Sequence, residues 1–196
     1  MGKIKMPELV TPIASVFTSD EKLFEPVKEI LSKRLGSCIY ESSVLPFNHT
    51  DYYTAEMGSD LKRCIFAFDE LIDPSELPAL KLWSNSLEQD RAVDGKRQVN
   101  IDVGYISLGK LVLASTKDHS HRIYLGKGIY GEVTLRLSEV NFSRGPGPIP
   151  IMQVKSIAKS LAGFASCTRK NFAPSNRIHC GFFVLQCCFY RQYGTK

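Results

Sequence analysis

Apolar residues in the first part of the chain recur at intervals of two and of three to four, which are the periods of strands and helices. Phe66 and Phe68 alternate, as on one face of a strand. Leu31 and Leu35 lie four apart in a segment that starts with acidic residues and stops at Gly36, as helices do. The predicted elements, in chain order, are a strand at 13–19, a helix at 20–36, strands at 38–47 and 61–72, a helix at 73–93, and strands at 97–107, 110–116, 121–125 and 129–137.

This βαββαβ order, followed by further strands, is the order of the split βαβ arrangement of ferredoxin-like domains. We therefore predict an α+β domain with a ferredoxin-like βαββαβ core and an antiparallel sheet extended by a C-terminal hairpin. The helices near 22–35 and 75–92 should share one face of that sheet, and its central strands should include 63–72 and 97–106. An open mixed sheet with helices on one face is the alternative.

The glycines of HRIYLGKGIYGEVTL, at Gly126, Gly128 and Gly131, match both a dinucleotide-binding fingerprint and the glycine-rich loop of a protein kinase. The dinucleotide fingerprint needs a helix after its glycines, whereas EVTLRL predicts a strand. The kinase loop needs later His-Arg-Asp and Asp-Phe-Gly elements, which the sequence lacks, and no GxxxxGK[ST] phosphate loop occurs. We predict instead a β-hairpin that turns at Gly126–Gly128, where glycine supplies positive φ angles.

Composition and charge narrow the functional classes. The chain is 43% hydrophobic and 23% charged, as in ordinary globular proteins, and it contains no run of about 18 apolar residues. The start of the chain lacks an apolar signal segment, so we expect a cytoplasmic protein without membrane association. The net charge of +5 does not favour nucleic acid, because residues 1–143 hold 20 acidic and 17 basic residues, whereas 144–196 hold eight basic and no acidic ones.

The polar residues of the first 143 concentrate in TDYYTAEMGSDLKR and in the strands after residue 96. On the strand at 97–107, Asn100 and Asp102 share one face because strand residues two apart point the same way. We predict that antiparallel neighbours gather these residues into one concave site. Its proposed catalytic residues are Asp102, His121 and Glu132, and its proposed ligand-binding residues are Tyr52, Tyr53, Glu56, Arg63, Asn100, Lys117, Asp118 and Arg122.

Several kinds of chemistry suit this set. Arg and Lys bind phosphate or carboxylate groups, and a carboxylate beside His can act as a general acid or base. A metal site formed by His119, His121 and Asp102 is an alternative, although we predict none. Ion pairs that hold the sheet together, or an exposed polar sheet face, would account for the same residues without any ligand.

We expect a binder of a small anionic ligand, or an enzyme acting on one; the sequence does not decide between these, and it identifies neither a cofactor nor an oligomeric state. The alternative is an RNA- or protein-interaction module. RNA-recognition domains with a ferredoxin-like sheet stack bases on a glycine-aromatic block, which is absent here.

Four blocks carry a resemblance to a known family. They are PFNHTDYYTAEMGSDLKR, LIDPSELPALKLWSNSLE, KRQVNIDVGYISLGKLVLASTKDHSHRIYL and GIYGEVTL. Together they resemble, over about residues 10–142, the bacterial family catalogued as domain of unknown function 4416. This resemblance implies no established activity, and the GTP-binding label of some members finds no support in a phosphate loop. Val103 stands where the family usually has Pro, and Gly131 where it usually has Ala.

The tail departs from that resemblance. The family typically continues with a block resembling WTYPDY and a closing helix, whereas this chain has GPIPIMQV. Possible codons for GPIPIMQV, read one base earlier, spell WTYPDYAS. We therefore divide the chain into a single α+β domain at 1–143 and a poorly structured tail at 144–196 that is translated out of frame. A lineage-specific tail is the alternative.

This hypothesis predicts one missing base near the codons for Ser143, which resequencing of the gene will detect. Restoring the base should replace the cysteine-rich, acid-free tail with a charge-balanced amphipathic helix. A confirmed reading frame, or a tail that forms a well-packed helix against the domain, would show that the hypothesis is wrong.

Overall fold

The computed structural model describes residues 2–47, 53–107, 110–138 and 141–144, with side chains as far as Leu135. Its helices are α1 (Phe24–Leu35), α2 (Thr54–Met57) and α3 (Leu77–Asp90). Its strands are β1 (Thr11–Thr18), β2 (Cys38–Glu41), β3 (Leu45–Pro46), β4 (Lys62–Phe68), β5 (Asn100–Ile106), β6 (Lys110–Ser115), β7 (Ile123–Gly126), β8 (Ile129–Ser138) and β9 (Asn141–Arg144). The predicted tail lies outside the described residues apart from Arg144.

The strands form one sheet in the order β2-β4-β1-β5-β6-β8-β7, with β3 added to β4 and β9 added to β8. Every pairing between these strands is antiparallel. Strand β1 is inserted between β4 and β5, so the first strand of the chain lies well inside the sheet. The protein is therefore an α+β protein with an antiparallel sheet, as the sequence predicts.

One face of the sheet packs against both long helices. Leu31 and Leu35 of α1 and Leu77 and Leu80 of α3 belong to the same buried apolar cluster. The sheet contributes to this cluster through alternate residues of its strands, namely Ala14, Val16, Cys64, Phe66, Phe68, Ile101, Val103, Val112 and Ala114. The prediction that the two helices share one face is confirmed. Within the described residues, no helix is long and apolar enough to cross a membrane.

Capping residues set the ends of these helices. Asp20 accepts a hydrogen bond from the Lys22 amide at the turn that leads into α1, and Gly36 ends the helix with a φ of +83°. Before α3, the Asp73 carboxylate accepts from the Ser75 amide while Glu76 accepts from the Asp73 amide, which makes a capping box.

The other face of the sheet, which we call the helix-free face because neither α1 nor α3 packs on it, carries two smaller apolar clusters. One contains Ile13, Ile65, Ala67, Ile106, Leu111 and Leu135. The other contains Phe17, Phe47, Met57 and Leu61, with the half-buried Tyr53 packed against it. Helix α2 contributes to this second cluster, and it lies in the polar segment that the apolar pattern did not assign to any element.

The glycine segment forms the predicted hairpin between β7 and β8. Gly126, Lys127 and Gly128 have φ angles of +109°, +55° and +75°, a conformation that glycine adopts without strain. Beyond the turn, β8 continues as a strand through Gly131, so the dinucleotide-binding interpretation is excluded by the structure as well as by the sequence.

Two strand glycines make a matched test of packing. A Cβ on Gly104 would overlap the Val112 carbonyl oxygen of the neighbouring strand, whereas a Cβ on Gly131 would meet the flexible Leu125 side chain at 2.9 Å. We expect Gly104→Ala to lower the free energy of unfolding by about 2 kcal/mol or more, and Gly131→Ala by less than about 1 kcal/mol. Urea unfolding measures both values. Equal losses would mean that backbone contact between β5 and β6 is not what requires Gly104.

Candidate functional site

The sheet opens between β5 and β6. These strands pair only through Gly104–Ile106 on β5 and three residues of β6. Nearer the start of β5, side chains from α3 take the place of the missing strand. The amide of Ile101 donates to a Glu88 carboxylate oxygen at 2.7 Å, and its carbonyl accepts from Lys81 Nζ at 2.9 Å and from Ser84 Oγ at 3.3 Å. Three buried polar residues thus satisfy the backbone N–H and C=O of Ile101, which β6 does not pair.

Arg97 links this edge to α2. One of its terminal nitrogens donates to Glu88 at 3.0 Å and to the side-chain oxygen of Asn100 at 3.0 Å. Its Nε and other terminal nitrogen make a bidentate pair with Glu56, at 2.6 and 2.7 Å. Arg97 therefore connects α2 to α3 and β5. The predicted ligand-binding residue Glu56 forms an ion pair within the protein.

The two carboxylates that contact Arg97 differ in environment. Burial raises the pKa of Glu88, and the nearby Lys81 and Arg97 only partly oppose this effect. The Arg97 guanidinium holds the pKa of Glu56 below its usual value, because that carboxylate is more exposed and accepts two hydrogen bonds. The pKa of Arg97 itself is raised by the same contacts.

Strand register brings four polar residues together on the helix-free face. Ser15 of β1 lies opposite Asp102 of β5, and Phe17 of β1 lies between Arg63 of β4 and Asn100 of β5. Because alternate strand residues share a face, these residues are neighbours on one surface. We call Ser15, Arg63, Asn100 and Asp102 the polar strip. It lies between the two apolar clusters of the helix-free face.

Two residues of the polar strip are buried with unused hydrogen-bonding atoms. Ser15 is 1% exposed and Asn100 is 5% exposed. Within the part of the chain that the structure describes, Ser15 Oγ and the Asn100 side-chain nitrogen have no hydrogen-bond partner. Leaving a buried polar group unpaired destabilises a fold by roughly 1–3 kcal/mol, so two such groups side by side require an explanation.

Arg63 brings a positive charge to the same place. It is 2% exposed, and the carbon of its guanidinium lies 4.3 Å from the ring centre of Phe47 and 5.5 Å from that of Phe17. Burial lowers the pKa of Arg63 to about 10, while the charges of Asp102 and Tyr53 act in the opposite direction. The guanidinium is therefore cationic at neutral pH, resting on aromatic rings as cations do.

Asp102 connects the polar strip to solvent. Its side chain is 32% exposed, and one of its oxygens lies 3.4 Å from Lys81 Nζ. This contact joins Asp102 to α3 and not to the other predicted catalytic residues. Asp102 is thus the most exposed member of the polar strip.

The other predicted catalytic residues form a separate group, with His121 just before β7 and Glu132 on β8. Glu132 is buried, and one of its oxygens lies 3.0 Å from Arg122 Nε and 3.2 Å from His121 Nε2. Arg122 also donates to Ser115 Oγ at 2.8 Å and to the Lys117 carbonyl at 2.9 Å. This arrangement joins the hairpin to β6, which is the structural role expected of an ion pair that holds a sheet together.

The predicted site residues are thus distributed over several places. Glu132, His121 and Arg122 are in contact, with the Lys117 backbone beside them. Asp118 lies near Tyr130, whose pKa it raises together with burial. Arg63, Asn100 and Asp102 belong to the polar strip, Glu56 joins it through Arg97, and the ring of Tyr53 packs 4.9 Å from that of Phe17. Tyr52 lies outside the described residues.

The geometry of the described residues does not support the metal alternative. The rings of His119 and His121 stack with centres 5.7 Å apart, but Nε2 of His121 points to Glu132, and Asp102 contacts Lys81. Among the described residues, no group of three or more His, Cys, Asp or Glu side chains could hold a metal ion.

Comparison with known families decides the relationship of this chain. The model of a family described as a domain of unknown function (DUF4416) matches residues 8–162. The chain belongs to the DUF4416 family. All four residues of the polar strip fall within the DUF4416 match, which begins and ends beyond the range of about 10–142 estimated from the sequence. No curated protein and no solved structure matches the chain.

Sequence reasoning missed Lys81, Ser84, Glu88 and Arg97 in this DUF4416 chain. The first three recur at intervals of three and four within the apolar stripe of α3, and all three are buried. Polar residues that recur at the spacing of a helix's buried face are the sequence signal from which these three could have been predicted. Ser15 gave no such signal, because a single serine in an apolar strand is common.

A cleft with a volume of about 260 Å³ lies elsewhere, between the end of α1 and the start of α3. Its polar lining residues are Arg34, Glu70 and Glu76, none of which was predicted. Arg34 lies over the ring of Trp83, with its guanidinium carbon 4.9 Å from the ring centre. The predicted concave site and this cleft are therefore different places.

The two carboxylates on Arg97 should show opposite pH dependence. The raised pKa of Glu88 means that its contribution to stability is lost as pH rises through that pKa, whereas the lowered pKa of Glu56 means that its contribution is lost as pH falls below its ordinary value of 4.5. Relative to the native chain, Glu88→Gln should gain stability as pH rises above about 4.5, and Glu56→Gln should gain stability as pH falls below about 4.5.

Urea unfolding at a series of pH values between about 3 and 8 measures both effects, and each variant serves as the control for the other. Slopes of the same sign for the two variants would contradict the environments described for Glu88 and Glu56.

Proposed function

We propose that the protein binds a small ligand through an anionic group at the polar strip. The observation that carries this proposal is the pair of buried, unpartnered atoms, Ser15 Oγ and the Asn100 side-chain nitrogen, next to the cationic Arg63. Hydroxyl, amide and guanidinium groups all donate hydrogen bonds, and a carboxylate or phosphate accepts several at once. Such a ligand would satisfy the atoms that the fold leaves unpaired.

The role of Asp102, His121 and Glu132 as catalytic residues stays a prediction. Asp102 lies on the strip and reaches solvent, so it can contact a bound ligand. Glu132 contacts Arg122 and His121 through one carboxylate oxygen at a buried position, which the ion pair with Arg122 accounts for without a ligand. We therefore propose binding at the strip and assign no reaction.

We also propose that β1-α1-β2-β4-α3-β5 is a ferredoxin-like core. Its support is the sheet order β2-β4-β1-β5, in which the strands of two βα units interleave with antiparallel neighbours. A bacterial, cytoplasmic protein is the setting that we propose for it. Cys38 and Cys64 are free thiols, which a reducing compartment maintains.

The alternative function, an RNA- or protein-interaction module, is favoured by one observation on the protein side. Strand β7 ends the sheet, and its Ile123, Tyr124 and Leu125 side chains are exposed. An edge strand with exposed apolar side chains can accept another strand from a partner chain. This surface is separate from the polar strip, so the two functions do not compete for residues.

Asn100→Asp tests the anion site with little change in shape. The substitution keeps an oxygen for Arg97 and replaces the unpartnered nitrogen with a second oxygen, which repels an anion. Thermal unfolding of the full chain with inorganic phosphate, acetate or 3-phenylpropanoate should show a rise in Tm for the native chain and for Asn85→Asp, but not for Asn100→Asp. Asn85 is the matched control because it lies on α3 and is not a member of the strip.

A serine pair tests the unpartnered atoms without any ligand. Ser15→Ala should leave Tm unchanged or raise it, because no hydrogen bond is lost. Ser84→Ala should lower stability by about 1 kcal/mol, because Ser84 Oγ donates to backbone carbonyls. Equal losses for the two variants, or no anion among the three that raises the Tm of the native chain, would count against the proposed function.

A further inference from the structure

We infer that the ligand of the polar strip is a zwitterion, an α-amino acid with an apolar or aromatic side chain. Its carboxylate would bind at Ser15, Arg63 and Asn100, and its ammonium group would bind at Asp102. This inference rests on the proposed function, because it assumes that the strip is a binding site, and it adds the chemical class of the ligand.

Opposite charges lie at the two sides of the strip. Arg63 on β4 is cationic and Asp102 on β5 is anionic, and both neighbour β1 in the sheet. Ser15 and Asn100 add donors without charge. A purely anionic ligand would be attracted by Arg63 and repelled by Asp102, whose charge acts on Arg63. A ligand with a negative and a positive end is complementary to both.

Asp102 keeps the capacity to bind a cation. Its contact with Lys81 involves one oxygen at 3.4 Å, and Lys81 Nζ also donates to the Ile101 carbonyl and lies 3.9 Å from Glu88. Lys81 therefore divides its charge between two carboxylates. The Asp102 side chain is the member of the strip that reaches solvent, so an incoming ammonium group can approach it directly.

The spacing of the strip suits an α-amino acid. Asn100 and Asp102 are two residues apart on one strand, which separates their Cβ atoms by about 6.6–6.8 Å. One carbon joins the carboxylate and the ammonium group of an α-amino acid. Each group can then approach its own side chain at a hydrogen-bond distance of about 2.9 Å. Longer separations between the charges would fit this interval less well.

Aromatic rings lie beside the anion end of the strip. Phe17 lies between Arg63 and Asn100 in the register, and its ring stacks on Phe47 with centres 4.5 Å apart. Tyr53 meets both rings. Such surroundings favour an apolar or aromatic side chain on the ligand over a polar one.

Three compounds with one skeleton test this inference in isothermal titrations on the full chain. They are L-phenylalanine, 3-phenylpropanoate, which lacks the ammonium group, and 2-phenylethylamine, which lacks the carboxylate. L-phenylalanine should bind at least about tenfold more tightly than either, because each charged hydrogen bond contributes that much. Asp102→Asn should abolish the preference over 3-phenylpropanoate, and Asp90→Asn, which changes an exposed carboxylate at the end of α3 outside the strip, should preserve it.

The outcomes separate the two proposals. If 3-phenylpropanoate binds the native chain as tightly as L-phenylalanine and Asn100→Asp abolishes that binding, the ligand is an anion only and the inference is overturned while the proposed function stands. If L-phenylalanine does not bind, the inference is also overturned, and the phosphate and acetate measurements with Asn100→Asp decide the proposed function on their own. A preference for L-phenylalanine that survives in Asp102→Asn would equally overturn it.

Discussion

Where β5 and β6 separate, the buried carboxylate of Glu88 takes the place of a neighbouring strand as hydrogen-bond partner of β5. Its hydrogen bond to the Ile101 amide, with those of Lys81 and Ser84 to the Ile101 carbonyl, satisfies backbone groups that β6 would otherwise pair. Without these contacts, β5 would have an unpaired edge in the protein interior, which is strongly destabilising. The burial of Glu88 is itself unfavourable, as its raised pKa indicates, and Arg97 and Lys81 offset that effect. The position of the neighbouring polar residues depends on this replacement of backbone partners by side chains.

Because β6 leaves β5 early, the first half of β5 has neighbours on one side only. Asn100 and Asp102 therefore lie where β5 and β6 separate, with Ser15 on the adjacent β1 and Arg63 one strand further away on β4. Hydrogen-bonding atoms of Ser15 and Asn100 are buried and have no partner among the described residues. Apolar residues at the same positions would cost less free energy, because they would bury no unpaired polar group. Local destabilisation of this kind is common at binding sites, where a ligand completes the hydrogen bonds.

The ion pairs of Arg122 and Arg97 have the same structural role. Arg122 distributes its donors among Glu132, Ser115 and the Lys117 carbonyl, and so joins three consecutive segments at the end of the sheet. Arg97 joins α2 to α3 and β5 in the same manner. In both cases the charged groups are satisfied by the protein itself. The polar strip differs, because Ser15 Oγ and the Asn100 side-chain nitrogen have no hydrogen-bond partner among the described residues, and this difference supports our proposal of a binding site there.

The sequence by itself determined the periodic elements, because the periods of two and of three to four follow directly from strand and helix geometry. Both long helices, the main strands, the hairpin at Gly126–Gly128 and the shared face of the helices could all be predicted in this way. The family resemblance over about 10–142 was also available from the sequence. The grouping of Asn100 with Asp102 was predictable, since both lie on one strand.

Only the tertiary structure decided which strands meet and which charges pair. Ser15 and Arg63 join Asn100 because β1 is inserted between β4 and β5, and no local pattern specifies this register. Asp102 contacts Lys81 and not His121 because α3 fills the opening that β6 leaves. Ion pairs form between residues far apart in the chain, at distances set by the packing of whole elements. Side-chain type alone therefore predicted one common site, whereas the structure divides its residues among several places.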